Sequence, residues 1–546
     1  MKKSIFIGII MSVLMFNIVF ASETLIKLSG SEILVNNEFI TENLVEDIFL
    51  QKIIENHPDV AEENKNLENK VVTITKAGTY KITGTGENVQ IRVDTADEAD
   101  VILILDNLSL TCKTAPAILI KNAYDTKTEG TANVKIILEN QNVITGSHVA
   151  EYYDDEDKKV KHDAAISSIP SLIIDGEGSL RVNADNEGIE SKMHLTINNG
   201  IIEIFSEDDA LNASEDGISN LTINDGYIYA IVGGDGGEGD GMDSNGYITI
   251  NGGVVTAQAH PGSQDSGLDA DLGIKINGGT IIATGNMYEG IDENSEQQFM
   301  QMYFSEKQND LIVITKEDLI PVIAFKPINS FSILECSSKE FENGKYFAFV
   351  GGEIEGEERD GVYTNIKSYK EGEKLSHTGT MVNNRRPIGN NSNMNNGDFR
   401  PNGEMQRPFA FALDDLDYTG IELPEGVTEE EITEILKQVI EKNFNVKDFG
   451  NFKNDDGREN NFQRPQANEF GKLDDSEENR SYEFVLSETE HVYRDVAAID
   501  VSKIINEDTS NSVTGIINSG NNISILIICT IVIVACTIII VLRKKK

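Results

Sequence analysis

From Val71 onward apolar and polar residues alternate with a period of two. Val72-Thr73-Ile74-Thr75, Tyr80-Lys81-Ile82-Thr83 and Val89-Gln90-Ile91-Arg92-Val93 each read as a strand with one buried face, punctuated by Gly78, Gly84 and Gly86. Longer apolar phrases follow at 101–107, 117–120 and 134–140. Upstream the spacing changes. Leu44, Val45, Ile48, Phe49 and Ile53 fall on one side of a 3.6-residue period, which predicts a short helix over 42–55, ended by His57-Pro58.

One phrase then repeats. Ile174-Asp175-Gly176, Ile197-Asn198-Asn199-Gly200, Ile223-Asn224-Asp225-Gly226, Ile250-Asn251-Gly252-Gly253 and Ile276-Asn277-Gly278-Gly279 are flanked by β-branched residues, and their isoleucines step by 23, 26, 27 and 26 positions. Three strands of four to five residues and three turns fill such a period, with Asn and Gly at the corners that require left-handed backbone. The expected fold is all-β, a parallel β-helix whose repeats stack ~4.8 Å apart. A leucine-rich repeat would need Leu-x-x-Leu-x-Leu phrases and helical returns, which are absent from the sequence.

A second motif, acid–small–aliphatic–acid, occupies the other half of each repeat. It reads Glu187-Gly188-Ile189-Glu190, Asp209-Ala210-Leu211-Asn212, Asp240-Gly241-Met242-Asp243, Ser266-Gly267-Leu268-Asp269 and Glu289-Gly290-Ile291-Asp292. In stacked repeats the aliphatic residue points inward and its polar neighbours outward, so two columns of carboxylates are expected on one face. They are either solvated turn residues or ligands for cations. From Asp163 to Ser295 there are 23 Asp and Glu but only Arg181, Lys192 and Lys275 as cations. Unscreened like charges at that spacing oppose folding, and calcium is the natural counter-ion. The expected ligands are Glu187, Glu190, Asp208, Asp209, Asp240, Asp243, Asp269, Asp271, Glu289 and Asp292. Zinc lacks its usual donors, because His162, His194 and His260 are scattered and no cysteines pair nearby.

The whole chain carries 91 Asp and Glu against 46 Lys and Arg, a net charge of −45, which excludes a nucleic-acid partner. Residues 1–21 read as a signal peptide: Lys2-Lys3, an apolar run and Val19-Phe20-Ala21. Ile523 to Leu542 is uncharged and is followed by Arg543-Lys544-Lys545-Lys546. It is long enough to cross a bilayer with the C-terminus cytoplasmic, placing the rest on the extracellular face of the cell membrane. Cys112 and Cys336 allow one disulfide outside that span. Residues 29–330 are expected to form the β-helix, 331–376 a β cap or appended β unit, and 377–522 a largely disordered stalk with a short helix at 428–442. Tyr227, Tyr229, Tyr247 and Tyr288 are placed to stack on sugars or to serve as ordinary strand residues.

Several of these phrases together resemble a known family. Val72-Thr73-Ile74-Thr75-Lys76-Ala77-Gly78-Thr79-Tyr80, Ala115-Pro116-Ala117-Ile118 with Lys121-Asn122-Ala123, and the Ile-Asn-Gly-Gly repeats are similar to the bacterial cell-surface carbohydrate-binding domain-containing proteins, over about Ser29 to Tyr369. The resemblance implies a right-handed, polysaccharide-lyase-like parallel β-helix that binds calcium and attaches to plant cell-wall polysaccharide, cellulose or acidic pectic glycans, with no catalytic residues assigned. Ala210 and Ser266 depart from the family's coil motif and put an ion at those repeats in doubt. Two other readings stay open. One is a calcium-dependent polysaccharide lyase with Arg181 as base; the other is a structural adhesin binding a protein through the acidic face.

Overall fold

The computed structural model describes residues 23–380 and 480–498, apart from short gaps at 41–43, 46, 154–156, 158, 235–236, 288 and 488–489. All regular elements among them are β-strands. The repeat seen in the sequence becomes strand register. In a first parallel ladder, Leu172–Gly176, Leu195–Ile197, Asn220–Ile223, Tyr247–Ile250 and Gly273–Ile276 lie side by side. There Ile174, Ile197, Ile223, Ile250 and Ile276 are direct neighbours.

A second ladder runs through Ser179–Ala184, Ile201–Ser206, Tyr227–Val232, Val254–Gln258 and Thr280–Gly285, aligning Leu180, Ile202, Ile228, Val255 and Ile281. A third runs through Glu187–Ser191, Leu211–Ala213, Met242–Ser244 and Leu268–Ala270, aligning Ile189, Leu211, Met242 and Leu268. Each repeat therefore gives one short strand to each ladder, in the same order. The aligned aliphatic residues of all three ladders share one apolar cluster. A single repeat leaves its apolar face open, so burial of ~1.5–3 kcal/mol per aliphatic side chain comes only with stacking.

The corner after the first ladder divides its work between two residue types. The glycines take the left-handed backbone: Gly226 has φ +106°, and a Cβ there would stand 2.6 Å from the Gly200 carbonyl oxygen. The asparagines instead form a hydrogen-bonded ladder. Asn224 Nδ2 donates to Asn198 Oδ1, Asn251 to Asn224 and Asn277 to Asn251, each at 2.8 Å. Asp175 accepts from Asn198 at its head. These asparagines therefore serve the side-chain ladder, while glycine takes the left-handed positions.

Both ends of the parallel stack are closed by reversed strands. At the start, Ile48–Ile54 runs antiparallel to Glu68–Ile74. This corrects the helix expected over 42–55: pairing across a sheet edge overrides a weak local period. At the other end Phe331–Ser338 runs antiparallel to Thr280–Gly285, pairing Ile282 with Cys336. An antiparallel unit follows, with a long hairpin of Gly344–Arg359 and Val362–Ser376 and its own apolar cluster. Phe484–Leu486 and Val492–Ala498, from the stretch assigned to the stalk, return to pair with this unit. Cys112 and Cys336 are free, buried thiols in separate clusters, so they do not form the disulfide the sequence allowed. No described helix is long and apolar enough to cross a membrane. The signal peptide, the helix at 428–442 and the span at 523–542 lie outside the described residues.

Candidate metal centre and its surroundings

The third ladder carries the acid–small–aliphatic–acid motif. Glu190, Asn212, Asp243 and Asp269 stand in register on successive rungs. The column of Glu187, Asp209 and Asp240 runs beside it, linked by Gly188 N–H to Asp209 O and Ala210 N–H to Asp240 O. Small residues are required between the columns: a Cβ on Gly188 would lie 2.5 Å from the Ala210 carbonyl oxygen. The inward aliphatic residues are fully buried, as expected. The acids, however, are not spread over open solvent. Glu187 and Glu190 are 6% and 1% exposed, and Asp209, Asp240, Asp243 and Asp269 are half-buried.

Two acidic triads result, and within each the nearest oxygens lie within 4.8 Å of one another. Two oxygens bound to one calcium at ~2.4 Å are at most about 5 Å apart, so each triad fits a single coordination sphere. The upper triad is Asp163, Glu187 and Glu190. Lysines answer part of its charge: Lys161 Nζ lies 2.7 Å from Asp163, and Lys192 Nζ lies 2.6 Å from Glu190. Ser214 Oγ also donates to Glu190. Asn212 Nδ2 bridges Glu187 and Asp209, at 3.2 Å to each. Glu187 Oε2 is buried with no hydrogen-bond partner, an orphaned acceptor that a cation would satisfy.

The lower triad is Asp240, Asp243 and Asp269. Among the described residues no lysine or arginine pairs with Asp240 or Asp243. A backbone amide helps Asp240, with Ser266 N–H donating to its Oδ1 at 2.5 Å, and the Asp240 N–H in turn donates to Asp209 Oδ1 of the adjoining repeat at 2.7 Å. Burial, then the neighbouring carboxylates, push the acids toward protonation. Glu187, Asp209 and Asp240 rise well above the usual carboxylate range, and Asp243 reaches about 8, with Asp269 and Asp271 as its chief charged neighbours. Without a cation these groups cannot all be ionised at neutral pH.

The other expected ligands divide. Asp208 is half-buried and raised by burial and by Glu238; Asp271 is exposed one turn beyond Asp269. Glu289 and Asp292 leave the column, because Ile291 bridges Ile274 of the first ladder rather than following Leu268. The last motif thus keeps its aliphatic residue in the core while its acids move to another face. Asp163 and Asp265 were missed by the motif. Each precedes a motif position by one residue, the place Asp208 holds, and Asp265 Oδ2 accepts the Gly239 amide at 2.7 Å.

The three cations of this stretch do different jobs. Lys192 belongs to the upper triad. Lys275 lies opposite Thr249 on the first ladder. Arg181 is on the second, where it lies opposite Glu203. Tyr227 and Tyr229 also belong to the second ladder and Tyr247 to the first; Tyr288 lies outside the described residues.

Comparison with known proteins agrees with the motifs. Residues 68–318 match the family model described as carbohydrate-binding domain-containing protein. A protein of that description from Acetivibrio thermocellus is 35% identical over 140 residues, which is 26% of this chain and 46% of the relative. The match thus spans just under half the length of that relative. A solved structure titled as a polysaccharide lyase-like protein from C. thermocellum, a gadolinium derivative, aligns at 24% identity over 48% of this chain and 90% of its own, with a TM-score of 0.33. Residues 68–318 are thus similar to the carbohydrate-binding domain-containing family that the sequence motifs resemble.

Proposed function

We propose that this chain is a cell-surface polysaccharide-binding protein, built as a right-handed parallel β-helix that holds calcium on its third ladder. The family match supports the carbohydrate-binding part. The recurrence of three parallel ladders in constant order supports the helical winding. The single observation that carries the calcium reading is the lower triad: Asp240, Asp243 and Asp269 converge and, among the described residues, no lysine or arginine pairs with Asp240 or Asp243. When bound, calcium would neutralise this column and offer remaining coordination positions to carboxylates of an acidic, plant cell-wall type glycan. Asp240, Asp243, Asp269 and the backbone around them would hold it there; Asp163, Glu187 and Glu190 would hold a second ion. The apolar segments at 1–21 and 523–542 support export and single-pass anchoring, with the binding domain on the extracellular face.

A binding role is favoured over a lyase. A lyase needs its base beside the calcium-bound sugar, and Arg181 stands on a different ladder from the acids, engaged with Glu203. Lys192, the cation beside the acids, is held in an ion pair with Glu190. The test is calorimetric titration of the full chain with calcium, followed by pull-down on cellulose and on polygalacturonate with and without chelator. Calcium uptake and chelator-sensitive retention on polygalacturonate are expected. Absence of calcium uptake, or retention indifferent to chelator, would remove calcium from the reading; absence of retention on every glycan would remove the polysaccharide.

A further inference from the structure

The strand Val492–Ala498 enters the appended antiparallel unit from far along the chain, outside the family match, and is paired on both sides. On one side it runs parallel to Phe299–Gln308, with Val492 opposite Gln301, Tyr493 opposite Met302 and Val496 opposite Phe304. On the other it runs antiparallel to Gly379–Thr380 and to Leu375 and Ser376. Just before it, Phe484–Leu486 pairs with Gly344, Lys345 and Tyr346. Phe484, Leu486, Tyr493 and Val496 sink into the apolar cluster of the unit. The Phe484 and Tyr493 rings meet at 4.9 Å, and the His377 ring closes on each at 4.8 Å.

The chain leaves this unit and comes back at one place. His377 and Ser481 exchange backbone hydrogen bonds, at 2.8 and 2.9 Å. His377 Nε2 also donates to the Glu483 carbonyl, 106 positions on, at 2.9 Å. Arg480 ties the entry. Its Nε donates to Ser376 Oγ at 2.9 Å, and its Nη2 donates to the Ser376 carbonyl at 3.0 Å and to the Asp495 carbonyl. From the other side Thr378 Oγ1 donates to Asp495 Oδ2 at 2.6 Å.

A segment held in this way has the attributes of a recognised peptide. Main-chain hydrogen bonds on both edges supply affinity, buried alternate side chains supply specificity, and polar ties fix the register. None of these contacts runs through the covalent connection at 381–479. Such a connection helps by raising the local concentration of the segment, and that help declines as the connection lengthens.

We propose that residues 480–498 are a docking segment, and that the groove between Phe299–Gln308 and residues 375–380 is a peptide-binding surface whose occupant is this part of the chain. The residues beyond 498 are then attached to the β unit by strand pairing in the groove, and not only through 381–479. An interruption of the chain between 381 and 479 leaves the two parts joined. On the anchoring proposed for 523–542, the binding domain stays on the cell after such a cut. The docking itself is independent of the polysaccharide and calcium readings.

The test uses the full chain with a C-terminal affinity tag and a site-specific protease sequence inserted after Gly420. After cutting, capture through the tag in native detergent buffer is expected to retain the N-terminal part. Arg480→Ala removes the ties to Ser376 and Asp495 while leaving the apolar contacts in place, and Tyr493→Ala removes the largest buried ring of the segment. At a fixed urea concentration below the unfolding midpoint of each uncut chain, which shows that each variant folds, release should be faster than wild type. The expected increase is roughly threefold or more for Arg480→Ala and roughly tenfold or more for Tyr493→Ala. Lys275→Gln, on the first ladder, should release at the wild-type rate. Parting of the wild-type fragments in native buffer overturns the proposal. Equal release rates for wild type and both variants overturn it as well, since the parts would then be held together by something other than 480–498.

Discussion

Asp243 stands directly opposite Asp269 on neighbouring strands of a parallel ladder, where their side chains share one face with Asp240. Nothing in the apolar core requires this pairing, because the residues that fill the core at these rungs are Met242 and Leu268. Like charges in register cost stability. The arrangement is understandable if a cation is part of the folded state.

The first prediction concerns pH. Asp243, Asp240, Asp209 and Glu187 all have raised folded-state values. A raised carboxylate favours the fold while protonated, so stability is fullest below the ordinary carboxylate range and is lost as pH rises through the folded value. In chelator, the melting temperature should fall as pH rises from 4 through about 8, where Asp243 loses its proton. Saturating calcium should abolish the fall. Thermal melts across that range, with and without the ion, check it; flat curves in chelator would contradict the raised values.

Asp243→Asn separates metal binding from folding. It removes one charge from the lower triad and one oxygen ligand. Calcium affinity should drop by roughly tenfold or more, while the chelated protein should melt higher than wild type at pH 7, because the fold no longer has to keep on residue 243 a proton that the unfolded chain releases. A variant that melts lower in chelator would show that Asp243 has a structural role beyond the ion.

The asparagine ladder makes a second, metal-independent contribution. Asn224 both donates to Asn198 and accepts from Asn251. Asn224→Ala should cost about 1 kcal/mol in urea unfolding, since it breaks both bonds at a solvent-exposed corner where water takes up the freed amides. The loss should be equal with and without calcium.

His148 offers a titration away from the acidic column. Its Nδ1 lies 3.0 Å from Asp185 and its Nε2 lies 3.4 Å from Asp59. The hydrogen bond to Asp185, followed by the charges of both acids, raises its value despite burial. A raised histidine stabilises the fold fully below its unfolded value near 6.5 and loses that contribution as pH rises through the folded one. In saturating calcium, stability should therefore decline by about 1 kcal/mol or less above neutrality. Asp185→Asn should flatten that slope.

The register of the core was legible in the sequence because it depends on local spacing. The isoleucines of the Ile-Asn-Gly phrases became direct neighbours, and so did Ile189, Leu211, Met242 and Leu268. What escaped was set by contacts remote in sequence. Residues 48–54 read as helix until Glu68–Ile74 is present to pair with them. Ile291 keeps the motif spacing yet joins Ile274, since Gly290 and Ile291 follow a turn that abandons the third ladder. Asp163 and Asp265 lie one residue ahead of the motif and become visible only when side chains are seen converging. The burial of Glu187 and Glu190 was equally illegible, because alternation assigns a side to a residue but not what covers that side. The Arg181–Phe205 stack joins residues 24 positions apart, and Arg359 meets Tyr227 across 132. Neither partnership has a local signature.

The reversed strand Phe331–Ser338 has a consequence for self-association. It occupies the hydrogen-bonding groups of the final rung of the second ladder, the point at which another molecule's first strand would otherwise add on. At the opposite end Ile48–Ile54 runs antiparallel along the sheet of the third ladder, so parallel strand addition is obstructed there as well. Deleting Phe331–Ser338 would be expected to open that edge to strand addition by a second copy.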